Sequence, residues 1–392
     1  MSVQDLALQR SKYKHLSDDE WRWFLQQVEG RERTADKLPT FAAIDDWWYP
    51  VRLSCEQCSS ELAARYKASL CSVSPQDGLS SVRHSRSLLD LTGGYGVDTF
   101  FLSEAFNHTD YVEQNAELCR IAAHNFSLPF REGTGVGSIS MHNTTAEEFL
   151  QTASHYDLIF LDPARRDSHG GKVFRLEDCT PNVVELLPTL LAHLTPNGRL
   201  LLKLSPMLDI SQAVKSLSTV NWDIHVVAIK NEVKEVLLLS GGSGQITAID
   251  LEKKDQAFVF TREEESQTVS LPYREGLGVG SFLYEPNAAI LKAGAYKLVA
   301  QRFRLHKLDV NTHLYTSDTL IENYPGRVWQ ITGQMTNGKC SISNANVIVR
   351  NYPLTAEQLK KKLKLKDGGN RYIIGCRING KPTILTAERK KI

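Results

Sequence analysis

The chain has 392 residues, 42% of them hydrophobic and 23% charged, with a formal net charge of +1. No stretch approaches the roughly 20 apolar residues of a membrane span, and the polar start "MSVQDLALQRSKYKHLSDDEWRW" has no apolar signal core, so a helical membrane protein is excluded. Seven scattered cysteines suit a reducing cytoplasm better than a disulfide framework, while a near-zero total charge leaves nucleic-acid and protein partners open.

The length suggests several domains, and the pattern along the chain changes three times. Residues 1–80 read as a helical region. Ser17 and Glu20 form a capping box ahead of "WRWFLQQV", and a second helix is expected from Ser54 through "CEQCSSELAARYKASLC". "KLPTFAAIDDWWYPVR" between them reads as an extended connector. Over residues 81–244, strand-like runs ("SLLDL", "TDYVEQ", "GSISMHN", "YDLIFLDP", "GRLLLKLSP") alternate with helical patterns at 99–107, 116–125, 146–150 and 181–194. That alternation predicts an α/β domain with a parallel sheet, helices lying on both faces. "WDIHVVAIK", the turn "NEVK" and "EVLLLSG" leave no room for a crossover helix, so they predict an antiparallel pair. Beyond "SGGSGQ" come the short strands "ITAIDL" and "AFVFT", a helix "EPNAAILKAGAYKLVAQRF" entered through Pro286, and strands at "RVWQITG", "NANVIVRN" and "RYIIGCRI". The helix "TAEQLKKKLKL", capped by Thr355 and Gln358, separates the last two.

The stretch "LLDLTGGYGVDTFFL" carries chemistry. A buried strand ending at Asp90 runs into Thr92, Gly93, Gly94 and Gly96, then a helix, which is a geometry that lets a ligand approach the backbone. Thr99 stands where a dinucleotide fingerprint wants its third glycine, and no lysine follows as a P-loop needs. Glu113, closing the second strand, is placed to accept the ribose hydroxyls of an adenosine moiety. "LDPARRD" ends the fourth strand: Asp162 can accept a hydrogen bond from a nucleophilic nitrogen, and Arg165 or Arg166 can hold phosphate or stack on a base. Cys55-x-x-Cys58 has a metal spacing but no second pair at zinc-site distance, so no metal is expected; Gln57, Ser59 and Ser60 can face the cleft from their helix. Lys360, Lys361, Lys362, Lys364 and Lys366 cluster on one short helix and its exit, beside Arg350 and Arg371, as a surface suited to phosphate backbones or as a plain solvated face.

Asp90-x-x-x-Gly94-x-Gly96, Glu113 and "DPARR" resemble the class I S-adenosylmethionine-dependent methyltransferases. The resemblance implies S-adenosylmethionine as cofactor. Gly93, Gly94 and Gly96 would lie under its methionine part with Asp90 and Thr92, Glu113 on the ribose, and Asn143 with Thr144 or Thr145 beside the adenine. Asp162 and Pro163, with Arg165, would form the transfer site. Thr92 departs from the family's usual glycine, Ala164 and Arg165 replace its Pro-aromatic pair, and Ser205 in "KLSPM" stands where C5-uracil methylation needs cysteine.

"FLYEPNAAILKAGAYKLVAQRFRLHKLDVNTHLYTS", "YPGRVWQI" and "VRNYPLTAEQLKKKLKLKDGG" resemble the bacterial methyltransferases with ferredoxin-like and THUMP-like C-terminal domains. The implied organisation is an N-terminal helical region (1–80), a Rossmann-like class I methyltransferase sheet (81–244), linker strands with a ferredoxin-like domain (245–322) and a THUMP-like domain (323–392), the last two small and α+β. It implies a cytoplasmic methyltransferase of structured RNA, tRNA or rRNA, with Arg166, Lys361, Lys362 and Lys364 on the substrate and no membrane partner. A protein or small-molecule methyltransferase, or an inactive RNA-binding relative, are the alternatives.

Overall fold

A computed structural model of the chain describes residues 3–71, 86–129, 137–164, 175–269, 279–335 and 342–391. The chain divides into two compact units, Met1–Asn221 with Leu237–Gly241, and Trp222–Val236 with Gly242–Ile392. Among the described residues no helix is long and apolar enough to cross a membrane.

The first unit holds five parallel strands: β1 (Ser87–Asp90), β2 (His108–Val112), β3 (Ser138–His142), β4 (Tyr156–Leu161) and β5 (Leu194–Leu204). They lie in the order β3-β2-β1-β4-β5, so the chain reverses its direction of travel after β3. Leu88, Leu89, Ile159, Leu200 and Leu201 are fully buried, as strands covered on both faces require. The helices Val97–Leu102, Ala116–Ser127, Ala146–Leu150 and Val183–Ala192 follow successive strands; Asn115, Thr145 and Asn182 cap the last three with their side-chain oxygens. The α/β class read from the sequence holds.

The N-terminal residues pack on this sheet's glycine turn. Ser17 and Glu20 close the expected capping box on the helix Asp18–Thr34. The single helix expected from Ser54 is two, Arg52–Gln57 and Glu61–Cys71, broken at Cys58–Ser60. Lys37 explains the break: its ammonium takes the carbonyls of Cys55 and Glu56 at 3.0 and 2.9 Å, ending the first helix. The expected connector contains one short helix, Pro39–Ala42, with proline in its first turn.

The second unit begins with β6 (Trp222–Ile229) and β7 (Glu232–Ser240), whose last residues belong to the first unit. The hairpin turn is Lys230–Asn231, tighter than the expected "NEVK"; both residues have φ near 60°, as a two-residue primed turn demands. β8 (Gln245–Asp250) runs parallel to β6, and β9 (Phe258–Thr261) antiparallel to β8. A second, seven-stranded sheet contains β10 (Phe282–Pro286), β11 (His306–Asp309), β12 (Thr312–Ser317), β13 (Gly326–Gln334), β14 (Asn346–Arg350), β15 (Arg371–Ile378) and β16 (Lys381–Lys390), ordered β11-β12-β10-β13-β16-β15-β14. Only β14 and β15 are parallel, linked by the helix Ala356–Leu363, whose Leu359 is fully buried.

Pro286 ends β10 rather than opening a helix. Asn287 caps Ala288–Ala293, and Gly294, at φ 83°, breaks it from Tyr296–Arg302.

Candidate active site

The turn after β1 is crowded on one side and open on the other. A Cβ on Gly93 would stand 2.0 Å from the ring of Tyr111, which is fully buried and donates its hydroxyl to the Gly94 carbonyl at 2.5 Å. Gly94 and Gly96 adopt φ of 54° and 85°. A Cβ on Gly94 would meet nothing nearer than the Thr92 carbonyl at 3.8 Å, so this backbone faces free space.

That space belongs to a cleft of about 140 Å³ at the carboxyl ends of β1, β4 and β5. Asp90, Thr92, Gly93, Gly94, Gly96 and Asp162, six of the residues picked from the sequence, line it. Thr92 shows why a hydroxyl suits the place of a glycine: its Oγ1 accepts the Asp162 N–H at 2.7 Å, tying the glycine turn to the end of β4. Gln57 and Ser59 also line the cleft, as expected, but from the break between the two N-terminal helices. Ser60 instead accepts the Ala63 N–H at the start of the next helix. The Cys55 and Cys58 thiols donate to the carbonyls of Pro50 and Cys55 at 3.4 and 3.2 Å; burial pushes both up, Cys55 to about 12.

The remaining candidates stand apart from the cleft lining. Glu113 follows β2 directly and accepts the Gly94 N–H at 2.8 Å and the Asn115 N–H at 2.7 Å, bracing the turn. Asn143 donates to the Glu113 and Gln114 carbonyls at 2.8 and 3.2 Å, and Thr144 donates to Glu148 at 2.6 Å. Those two side chains, read as adenine neighbours, are thus committed to local bonds. Pro163 is buried behind Asp162 in sequence, and Arg165 and Arg166 lie outside the described residues. In the second unit Lys361, Lys362 and Lys364 are exposed, whereas Lys360 pairs with Asp367. Arg350 is not free for a phosphate surface: with Arg327 it neutralises Glu285, a carboxylate only 1% exposed.

Three charged residues in the cleft region escaped the reading of the sequence. Lys203, on β5, pairs with Asp162 and lies 3.6 Å from Asp98. Asp98 also meets Lys67 at 3.1 Å and accepts the Ser59 hydroxyl at 2.7 Å. Burial pushes the Asp98 carboxyl up, but Lys67, Lys203 and Ser59 together hold it below its ordinary range. The signal was present: Lys203 is the one charge inside "LLLKLS", and Lys67 shares a helix face with Ala63, Ala64 and Cys71.

Asp90 is the opposite case. Fully buried, it accepts the Thr99 hydroxyl at 2.5 Å and the Thr92 N–H at 3.0 Å, yet burial outweighs both bonds, aided by Asp98 and Asp162, and pushes its carboxyl up to about 7. A folded-state value above the ordinary 3.8 means that the proton stabilises the fold fully in acid, and that this contribution is lost as pH rises through about 7. Asp90→Asn lacks that titration, and the Thr99 hydroxyl can turn to accept from the new amide. The variant's stability should therefore gain on wild type as pH rises from 4 towards 7, on the order of 1.4 kcal/mol per pH unit at the steepest, read from melting curves. Parallel melting curves across that range would show no sense of a buried acid.

The comparisons with known proteins meet this geometry. A ferredoxin-like domain family matches residues 282–325, and a THUMP domain-like family matches residues 328–389. A crystal structure of a candidate methyltransferase from Porphyromonas gingivalis W83 is 31% identical over 96% of this chain and 92% of that one, with a TM-score of 0.81. The chain belongs to that methyltransferase family. Its resemblance to the class I enzymes with ferredoxin-like and THUMP-like C-terminal domains therefore holds along nearly the whole length. An S-adenosylmethionine-dependent methyltransferase from Agrobacterium tumefaciens is 21% identical over 38% of this chain and 45% of its own, and its TM-score of 0.28 is too low to bear on the site. Curated proteins give no match. The two C-terminal family matches meet in one sheet, since β10 pairs with β13 from Phe282↔Gln330 to Pro286↔Gly326.

Proposed function

We propose that this family member is an S-adenosylmethionine-dependent methyltransferase of structured RNA, working in the cytoplasm. The observation that carries the reading is the single cleft in which the glycine turn and Asp162 meet, joined by the Thr92–Asp162 bond. The residues fit the cofactor: an open backbone at Gly94, no side chain at Gly93 to fill the turn, Asp90 in the lining, and Glu113 bracing the turn from the end of the next strand. Gly93, Gly94 and Gly96 would hold the methionine part with Asp90 and Thr92, Glu113 the ribose, and the Asn143–Thr144 loop the adenine edge. When bound, the sulfonium supplies the methyl group. Asp162 orients the acceptor by taking a hydrogen bond from it, with Pro163 fixing the strand end and Arg165 and Arg166 on phosphate or base.

RNA as the acceptor rests on the THUMP domain-like match and on the exposed lysines of the helix Ala356–Leu363 and its exit. The test is nucleoside mass spectrometry of RNA from cells with and without the gene. A methylated nucleoside that vanishes with the gene is the expected result; unchanged RNA, with cofactor binding intact, would turn the reading to a protein or small-molecule acceptor.

Two variants test the parts. Glu113→Ala removes a charged acceptor worth about 1.5–3 kcal/mol, so S-adenosylmethionine affinity should fall roughly 10- to 150-fold by calorimetry. Wild-type affinity would take Glu113 out of the site. Changing Lys361, Lys362 and Lys364 to glutamine should flatten the log–log salt dependence of tRNA binding by roughly 0.7–0.9 per lost contact and leave cofactor affinity alone. An unchanged slope in an anisotropy series would make this helix a solvated face.

A further inference from the structure

A row of alternating charges leads from the N-terminal helices into the cleft, and the proposed chemistry uses only its last member, Asp162. Lys67 is completely buried on the helix Glu61–Cys71. It meets Asp98, Asp98 faces Lys203, and Lys203 ends on Asp162. Ser59 bridges the first pair, donating to Asp98 at 2.7 Å and accepting from Lys67 at 3.2 Å. Burying the first three charges costs several kcal/mol per ion unless each is paired. A row this expensive, ending on the residue read as the acceptor's partner, calls for a role.

The two oxygens of Asp162 are unlike. Oδ2 is gripped by Lys203, while Oδ1 makes no hydrogen bond to any described residue on a side chain 38% exposed. A carboxylate on a bare loop rotates about its Cα–Cβ bond and presents either oxygen. Here one is tied to an ammonium that is 12% exposed and anchored by a buried aspartate.

We propose that Lys203 is the positioning residue for methyl transfer: it clamps Asp162 Oδ2 so that Oδ1 faces the acceptor, and Lys67 with Asp98 steadies Lys203 from the N-terminal helices. This rests on the reading of Asp162 as the acceptor's hydrogen-bond partner. Lys203 exchanges no proton and forms no bond in the transfer; its effect passes entirely through Asp162. It would therefore change the rate at saturating cofactor rather than cofactor affinity.

A double-mutant cycle reads that dependence. Labelled S-adenosylmethionine is supplied to wild type, Lys203→Met, Asp162→Ala and the double variant. The acceptor is a lysate of cells lacking the gene, which offers RNA, protein and small molecules together. Lys203→Met should lower kcat by roughly thirtyfold or more and leave KM for S-adenosylmethionine within about threefold. Lys203→Arg, which keeps the charge, should recover most of the loss. In the Asp162→Ala background, Lys203→Met should change the rate by less than about twofold. Should Lys203→Met fail to fold, Lys203→Arg against Asp162→Ala carries the same comparison through its residual defect. Two independent, multiplying losses would overturn the proposal, as would a rise in KM with kcat unchanged. Label that survives nuclease would overturn RNA as acceptor while leaving the cycle readable, and no label from wild type on any acceptor would overturn both.

Discussion

Asp162→Ala should cut methyl transfer at least a hundredfold while S-adenosylmethionine affinity stays within about threefold. A positioned group of this kind contributes typically 10²–10⁴ in rate. The fold around it should survive, because the Asp162 backbone N–H, not the side chain, holds the loop to Thr92. Lys203 keeps Asp98 as a partner when its other carboxylate goes. The measurement is single-turnover transfer of label beside calorimetric titration of S-adenosylmethionine and its demethylated product. Full activity in the variant would remove Asp162 from the chemistry; lost cofactor binding would make it a cofactor ligand.

Lys67→Met should destabilise the first unit by about 3 kcal/mol, the cost of leaving a buried carboxylate without its nearest cation. Lys67 is 0% exposed and 3.1 Å from Asp98, so water cannot replace it. The penalty should also depend on pH. Asp98 is held below its ordinary 3.8 by its neighbours, so its pairing stabilises the fold above that value and is lost as pH falls. The gap between variant and wild type in urea titrations should thus be full from neutrality down to about pH 4 and shrink only below it. A constant gap would mean lost packing of the lysine stem, and no gap would mean that the pair contributes nothing.

The sequence showed the regular parts of this fold well. The apolar cores of β1, β4 and β5 stand out in the sequence, helical patterns separate β1 to β5, and side-chain caps open three of those helices. The chain breaks were harder. "SCEQCSSELAARYKASL" has helical periodicity throughout, and only Lys37, far back in the sequence, ends the first helix by taking its carbonyls. Pro286 looked like a helix opener because the strand β10 exists only through pairing with β12 and β13. The hairpin β11–β12 and the last strand, β16, were missed for a similar reason: each mixes polar and apolar residues and is fixed by partners in the sheet. In the site, glycines and Asp162 were legible because a strand end announces them. The Lys67–Asp98–Lys203 row was not, because three residues from two helices and a strand become neighbours only in space.

The pairing of β10 with β13 has a meaning for descent. One family pattern stops at residue 325 and the other starts at residue 328, as though two separate pieces had been joined there. Yet Glu285 of the first is neutralised by Arg350 of the second and by Arg327 at the junction, and three successive residue pairs, Phe282↔Gln330 to Tyr284↔Val328, zip the two together. An exchange of genes that imported one piece without the other would leave an open sheet edge and a buried carboxylate lacking its counterions. The two names mark a seam in the sequence record, while the molecule can only be handed on with both sides of it together.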